Sequence, residues 1–393
     1  MLMGQSANGI YERLGVRRLI NAGVFATNCG SSIMPPEVLA AMNEASHSYV
    51  NLVELLARAG ERIAALTHNE ACFVTTGAAA GLLLATAACI TGTDPVKTHQ
   101  LPDLTGLKNE VVIHRQQRNG YDHAVRSTGI RFREIAYDQR ATAPWELEAA
   151  INPNTAAIVY IFNTFTPEPH AHPGFEGPLP LQDVVAIAHK HGVPVIVDIA
   201  NQLPPAERLW KYTQMGADLA VCSGGKALRG PGCTGLILGR KDLIEACAVQ
   251  ANPNGGIGRP AKVGKEEIAG IVTAVERYMS IDHEAEASQW ESTIAYFVDE
   301  LGRLPHVATR RTFPSRSSWE VPSALITVRI GEQGISRDEL VARMREGNPY
   351  IVCQLSGLNS IGLCPVTLQA GDAEFIVQRI KEIVQTHKGG SEQ

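Results

Sequence analysis

Ala220-Val-Cys-Ser-Gly-Gly-Lys-Ala-Leu-Arg-Gly-Pro-Gly-Cys-Thr-Gly-Leu-Ile-Leu-Gly239 is the run on which the rest of the chain depends. Its apolar start, Leu219 to Cys222, predicts a buried strand. The strand stops at Ser223, Gly224 and Gly225, and Lys226 follows. Arg229-Gly-Pro-Gly232 then leads into a second apolar run, Gly235 to Leu238. A cation between two buried strands is unusual, because lysine is seldom buried without a partner. Desolvation would lower the pKa of its amine and make it a nucleophile. A lone lysine in a turn ordinarily points at water. Two upstream features set that reading aside here: a glycine-containing anion site, and an aspartate at the end of a strand.

The aspartate is Asp198, closing the apolar run Pro194-Val-Ile-Val-Asp-Ile199 and lying 28 residues before Lys226, room for one strand–helix–strand step. The anion site is Thr75-Thr-Gly-Ala78, between the short strand Cys72 to Val74 and an alanine-rich helix. A helix N-terminus offers unpaired N–H groups and the positive end of the dipole. Gly77 and the small Ala78 and Ala79 let an anion approach the backbone, although small residues also serve tight helix–sheet packing.

Between about residues 70 and 240, apolar strands alternate with helices. The strands are Glu110 to His114, Arg131 to Ile135, the wholly apolar Ala156 to Phe162, and Pro194 to Ile199. This alternation predicts an α/β domain with a mainly parallel sheet covered by helices on both faces. Ligands in such sheets sit beyond the carboxyl ends of the strands, which is where Gly77, Asp198 and Lys226 fall. Helices are expected at Pro36 onward, with Val38, Leu39 and Met42 on one face, and over Leu52 to Leu66. Thr91 to Leu107 reads as a loop, and Asn163 to Pro180 as a long proline-rich one. Past Gly264 the texture changes. A helix from Lys265 is expected to run on through Trp290 to Leu301. Short strands near 324–330, 351–354 and 360–363 precede a helix from Asp372 to His387 with Phe375, Ile376, Ile380 and Ile383 facing in. The expected organisation is an N-terminal segment (1–50), a large domain (51–260) and a smaller α+β C-terminal domain (261–393).

With 393 residues, 45% hydrophobic and 19% charged, the composition is that of an ordinary globular protein. A net charge of −5 without a basic block argues against a nucleic-acid surface. The eight cysteines are scattered, with no C-x-x-C. Unpatterned cysteines in a long chain, and no signal core in Met1 to Gly9, lead to the expectation of a cytoplasmic protein. No metal site is expected. His170 and His172 lie in the proline-rich loop without further ligand spacing, and are read as surface or substrate-side residues.

An anion cup, a carboxylate and a nucleophilic amine, in that chain order, match the needs of pyridoxal phosphate. Its phosphate would lie on Thr76, Gly77 and Ala78, with the Ser223 hydroxyl adding a contact. Its ring nitrogen would be held protonated by Asp198, and its aldehyde would condense with Lys226. Asn163, which ends a sheet strand, is a further candidate for a cofactor or substrate contact.

With these residues quoted, the sequence resembles the fold type I pyridoxal-phosphate enzymes. Within them it is similar to the branch of bacterial selenocysteine synthase (seryl-tRNA selenium transferase) and its relatives without tRNA, of the D-glucosaminate-6-phosphate ammonia lyase type. The supporting stretches are Leu19-Ile-Asn-Ala-Gly23, Pro35-Pro-Glu-Val38, the Thr-Thr-Gly-Ala-Ala cup, Val195-Ile-Val-Asp198, Ser223-Gly-Gly-Lys-Ala-Leu-Arg-Gly-Pro231 and Arg259-Pro-Ala-Lys-Val-Gly-Lys265. They span the first two-thirds of the chain, and the run around Lys226 is the most specific. The resemblance implies substrate-side cations at Arg259 and Lys262, with Lys265 behind them. It implies a residue stacked on the pyridine ring between Gln117 and His123, with Arg118 first and Tyr121 and His123 next; His123 is also expected near the substrate. Because sites of this fold are usually built between subunits, Tyr49 and Asn51 are expected to reach a neighbouring copy. Asn28-Cys-Gly-Ser-Ser32 lacks the arginine that the selenium transferases carry there. That departure, with the acidic charge and the lack of a long N-terminal domain, removes transfer RNA as an expected substrate.

The expected protein is therefore a homo-oligomeric pyridoxal-phosphate enzyme acting on a small amino acid or amino-sugar acid. The expected reaction is α,β-elimination with ammonia release, through a Schiff base on Lys226, which also acts as the base. Racemisation or epimerisation, aldol cleavage and transamination use the same chemistry and stay open, and a non-catalytic binding protein of the same fold is the remaining alternative.

Overall fold

After a first strand, β1 (Leu19–Ala22), the chain runs through β2 (Ala71–Thr75), β3 (Glu110–His114), β4 (Arg131–Ile135), β5 (Thr155–Ile161), β6 (Val195–Asp198), β7 (Leu219–Ser223) and β8 (Gly235–Gly239). It ends with β9 (Val307–Thr312), β10 (Ser323–Val328), β11 (Tyr350–Ser356) and β12 (Ser360–Leu363). The structure is a computed structural model and describes residues 9–136, 142–162, 177–314, 320–328 and 334–387. Asn163, His170 and His172 lie outside the described residues.

Two compact units form. One holds Gly30–Ile281; the other draws on Met1–Cys29, Asp282–Arg316 and Glu320–Gln393. In the larger unit, β2 to β8 make a seven-stranded sheet in the order β2-β8-β7-β6-β5-β3-β4. The pairs β3–β4, β3–β5, β5–β6 and β6–β7 are parallel, as the alternation predicts. β8 is the exception: it runs antiparallel to both β2 and β7. All seven residues of β5 and all four of β6 are buried, as strands covered on both faces must be. The chain moves outward from β3 to β4, then reverses to β5, β6 and β7, so the switch point lies beside the carboxyl ends of β3 and β5.

The smaller unit is a five-stranded sheet, order β1-β11-β12-β10-β9. The Asp372–Thr386 helix adds Ile376, Ile380 and Ile383 to its core.

Several expectations are corrected. The predicted long helix is two helices, Lys265–Ser280 and His283–Gly302, because the Asp282 side chain accepts from the N–H groups of Glu284 and Ala285 and caps a new helix. The first of them buries Ile268, Ile271, Ala274 and Val275 in the larger unit's core, so the division falls after Ile281 rather than after 260. The expected segment 1–50 is likewise divided, at Cys29/Gly30. The loop at 91–107 contains a helix, Pro95–Gln100, begun by the Asp94 cap and a proline in its first turn. Leu39 (48% exposed) and Phe375 (42%) face outward.

Candidate active site

Sheet register brings the predicted residues to one edge. Thr75, at the end of β2, pairs with Gly235, which pairs with Ser223 at the end of β7. Two residues earlier in β7, Val221 pairs with Asp198, which pairs with Ile161 at the end of β5. The cup, Asp198, Ser223 and the Lys226 turn therefore share the carboxyl edge of the sheet.

The cup is the start of the Gly77–Thr91 helix. Gly77 has φ +81° and open space where a side chain would stand. The first N–H groups of this 15-residue helix have no partner within it. Thr76 Oγ1 donates to the Cys233 carbonyl, which ties the cup to the loop after Lys226. Gly235 closes it from below: a Cβ there would lie 2.4 Å from the Gly77 carbonyl carbon and 2.7 Å from the Ala78 nitrogen. Gly235→Ala is expected to cost about 1–3 kcal/mol by overpacking and to push the cup off its position. A lower urea midpoint together with weakened phosphate-ester binding checks this.

Lys226 sits on a turn closed by hydrogen bonds from Gly224 N–H to Thr234, from Gly230 N–H to Gly224, and from Arg229 N–H to the Lys226 carbonyl. Its amine donates to Asn201 Oδ1. Burial holds its pKa below the ordinary lysine value, and the charge of Asp198 opposes that effect. Asp198, 7% exposed, is pushed above the usual carboxylate range by burial, against the Ala200 N–H (2.9 Å to Oδ1) and Lys226. The arrangement offers a nucleophilic amine that can accept a proton at Nζ, beside a carboxylate held out of water.

Other expected residues have partners of their own or are exposed. The Arg118 guanidinium is bound to Asp122 (2.5 Å) and to Glu134, and lies over the Phe132 ring, so it is not a free plate for a pyridine ring. His123 is exposed, with Nδ1 3.0 Å from Arg126, and Tyr121 is also exposed. Arg259 donates to Asn252 Oδ1 (2.7 Å), Lys262 is exposed, and Lys265 donates to the Ala45 carbonyl (2.6 Å). Among the described residues, no hydrogen bond or ion pair joins Arg259 or Lys262 to the Lys226 group. The Asn51 amide oxygen caps the Leu52–Leu66 helix, while Tyr49 is fully exposed.

The structure adds Asn201, His114 and Gln117. His114 ends β3, wholly buried, and its Nε2 accepts from the Leu179 N–H (3.2 Å). Gln117 Oε1 accepts from the N–H of Ile161, the register partner of Asp198. A polar residue closing a buried strand was the sequence signal for His114; nothing local marked the others. Burial pushes the His114 imidazole down to about 4. The unfolded chain, near 6.5, therefore binds the proton first as pH falls. Stability is full above about 6.5 and is lost down to about 4, by roughly 3 kcal/mol. Unfolding free energies from urea titration at pH 7.5 and 4.5 should differ less in His114→Gln than in the parent, by most of that amount.

The open space at Gly77, the backbone donors behind it, and a half-buried amine beside a buried carboxylate fit pyridoxal phosphate. Fold and site together define a pyridoxal-phosphate enzyme of fold type I. Residues 19–310 match the family described as SelA, L-seryl-tRNA selenium transferase, and the chain belongs to that family. It is 32% identical over 386 residues to 5'-C-glycyluridine monooxygenase-decarboxylase from Streptomyces sp, covering 96% of this chain and 93% of that one. It is 32% identical over 382 residues to D-glucosaminate-6-phosphate ammonia lyase from Salmonella typhimurium, covering 96% and 98%. A solved structure of D-glucosaminate-6-phosphate ammonia-lyase superposes with a TM-score of 0.82 at 30% identity, over 97% of this chain and 99% of that one.

Proposed function

We propose that the protein is an ammonia lyase acting on a small amino acid or amino-sugar acid with a leaving group on the β-carbon. The observation that carries this is the half-buried Lys226 amine within electrostatic reach of the buried Asp198, at the sheet edge that also holds the cup. When bound, pyridoxal phosphate supplies an aldehyde for the amino group and an electron sink for the electrons left on Cα. Thr76, Gly77, Ala78 and Ser223 would hold its phosphate, and Asp198 would keep the ring nitrogen protonated. Lys226 Nζ takes the proton from Cα, and the β-substituent departs with its electron pair. Net loss of the β-substituent and uptake of water would leave ammonia and a 2-keto acid as products. Arg259 and Lys262 are assigned to the substrate's anionic groups, and Tyr49 to the site of a second copy in a homo-oligomer. His123 stays assigned to the substrate side.

The Streptomyces relative, equally similar, favours a second reading: loss of the carboxylate with consumption of O₂. A screen of phosphorylated and unphosphorylated amino-sugar acids and amino acids separates the two. Ammonia and keto acid in equal amounts, without O₂ uptake, support elimination; CO₂ with O₂ uptake supports the second reading. Racemisation alone would overturn both. Among the described residues no helix is long and apolar enough to cross a membrane, and no three His, Cys, Asp or Glu side chains gather as a metal site requires. We place the protein in the cytoplasm, without a nucleic-acid partner, on charge and cysteine pattern.

A further inference from the structure

We infer that Asn201 is a positioning residue for the reactive lysine: its side-chain carbonyl holds the Lys226 amine whenever that amine is free. Lys226 and Asn201 stand 25 residues apart and meet at the sheet edge, Nζ donating to Oδ1. Asn201 is placed by a loop that is pinned at both ends. At its start, the Ala200 N–H donates to Asp198 Oδ1 (2.9 Å), which sets the turn leaving β6. At its far side, the buried guanidinium of Arg208 donates to the carbonyl of Gln202 (2.8 Å), and Tyr212 Oη reaches Gln202 Oε1 (3.4 Å). The backbone on either side of Asn201 is therefore held by contacts that do not involve the lysine.

The groups facing Lys226 are Asp198 from β6, Cys222 from β7 and Asn201 from the loop between them. Cys222 is pushed up to about 12 by burial and is uncharged at neutral pH. Asp198 is thus the carboxyl neighbour among these, and Asn201 the neutral acceptor. A carbonyl oxygen binds an ammonium more strongly than an amine. Asn201 therefore opposes the desolvation that lowers the lysine, and keeps a protonated Lys226 aimed along one line whenever the amine is free of the cofactor.

The inference rests on Lys226 being the reactive lysine, and the experiment separates the two. Competitive acetylation of the full chain without cofactor, with mass spectrometry of the Lys226 peptide, gives the pH midpoint of the amine directly. Asn201→Ala is expected to lower that midpoint by about one pH unit. Asn201→Asp, of the same shape but anionic, is expected to raise it. In the holoenzyme the acid limb of the kcat profile should move in the same two directions. Asn201 is exposed, so both variants are expected to fold. Midpoints that stay with the parent, or that move in the same direction in both variants, overturn the role of Asn201. If reduction of the parent holoenzyme with borohydride fixes no cofactor to Lys226, the reading of Lys226 itself fails instead.

Discussion

Lys226→Ala is expected to abolish turnover, by on the order of 10⁴-fold or more, while leaving the fold in place. On the proposed mechanism the side chain supplies both the amine that holds the cofactor and the base at Cα, so no other group replaces both roles. The fold should survive because the substitution removes a desolvated cation, whose burial already costs stability. Its turn is held by backbone hydrogen bonds from Gly224, Arg229 and Gly230. Asp198 then loses its counter-charge, and its carboxyl moves further above the usual range. Borohydride reduction followed by peptide mapping makes the decisive measurement. The parent should carry the reduced cofactor on Lys226, and the variant on no lysine. A variant that turns over at the parent rate would remove Lys226 from the chemistry.

Asp198→Asn is expected to cost roughly 10²–10⁴-fold in kcat. An amide keeps the oxygen that accepts the Ala200 N–H, so the turn leaving β6 and the Asn201 loop should stay where they are. What the amide lacks is the negative charge that offsets the desolvation of Lys226 and, on the proposed mechanism, keeps a ring nitrogen protonated. Two readouts should therefore move together: turnover falls, and the acetylation midpoint of Lys226 shifts to lower pH. Unchanged turnover with a shifted midpoint would confine Asp198 to supporting the lysine. If neither moves, the carboxylate has no part in the site.

Much of this site was legible because its parts are local. A buried parallel strand is written as an unbroken apolar run, as in Ala156 to Ile161. A helix N-terminus open to an anion is written as Thr-Gly-Ala-Ala after such a run. The tight turn that carries Lys226 is written in the glycines around it, since Gly225 and Gly235 stand where a Cβ would strike neighbouring backbone. What stayed hidden were the partners of long polar side chains. Arg118 had the right position in the chain for a stacking residue, yet Asp122 and Glu134 bind it. Asn51 was read as reaching outward, yet it caps its own helix. Lys265 turned out to bind the carbonyl of Ala45.

The sequence by itself determined the class of fold, the order of cup, aspartate and lysine, and the carboxyl edge on which they meet. Burial and periodicity are properties of each segment, and they repeat along the chain without reference to distant residues. Only the tertiary structure decided that β8 runs against its neighbours, that the division between units falls after Ile281, and that Asn201 receives the Lys226 amine. Each of these depends on which segments the sheet order brings side by side. A polar side chain chooses among the partners within a few ångströms, and that set does not exist until the strands have paired.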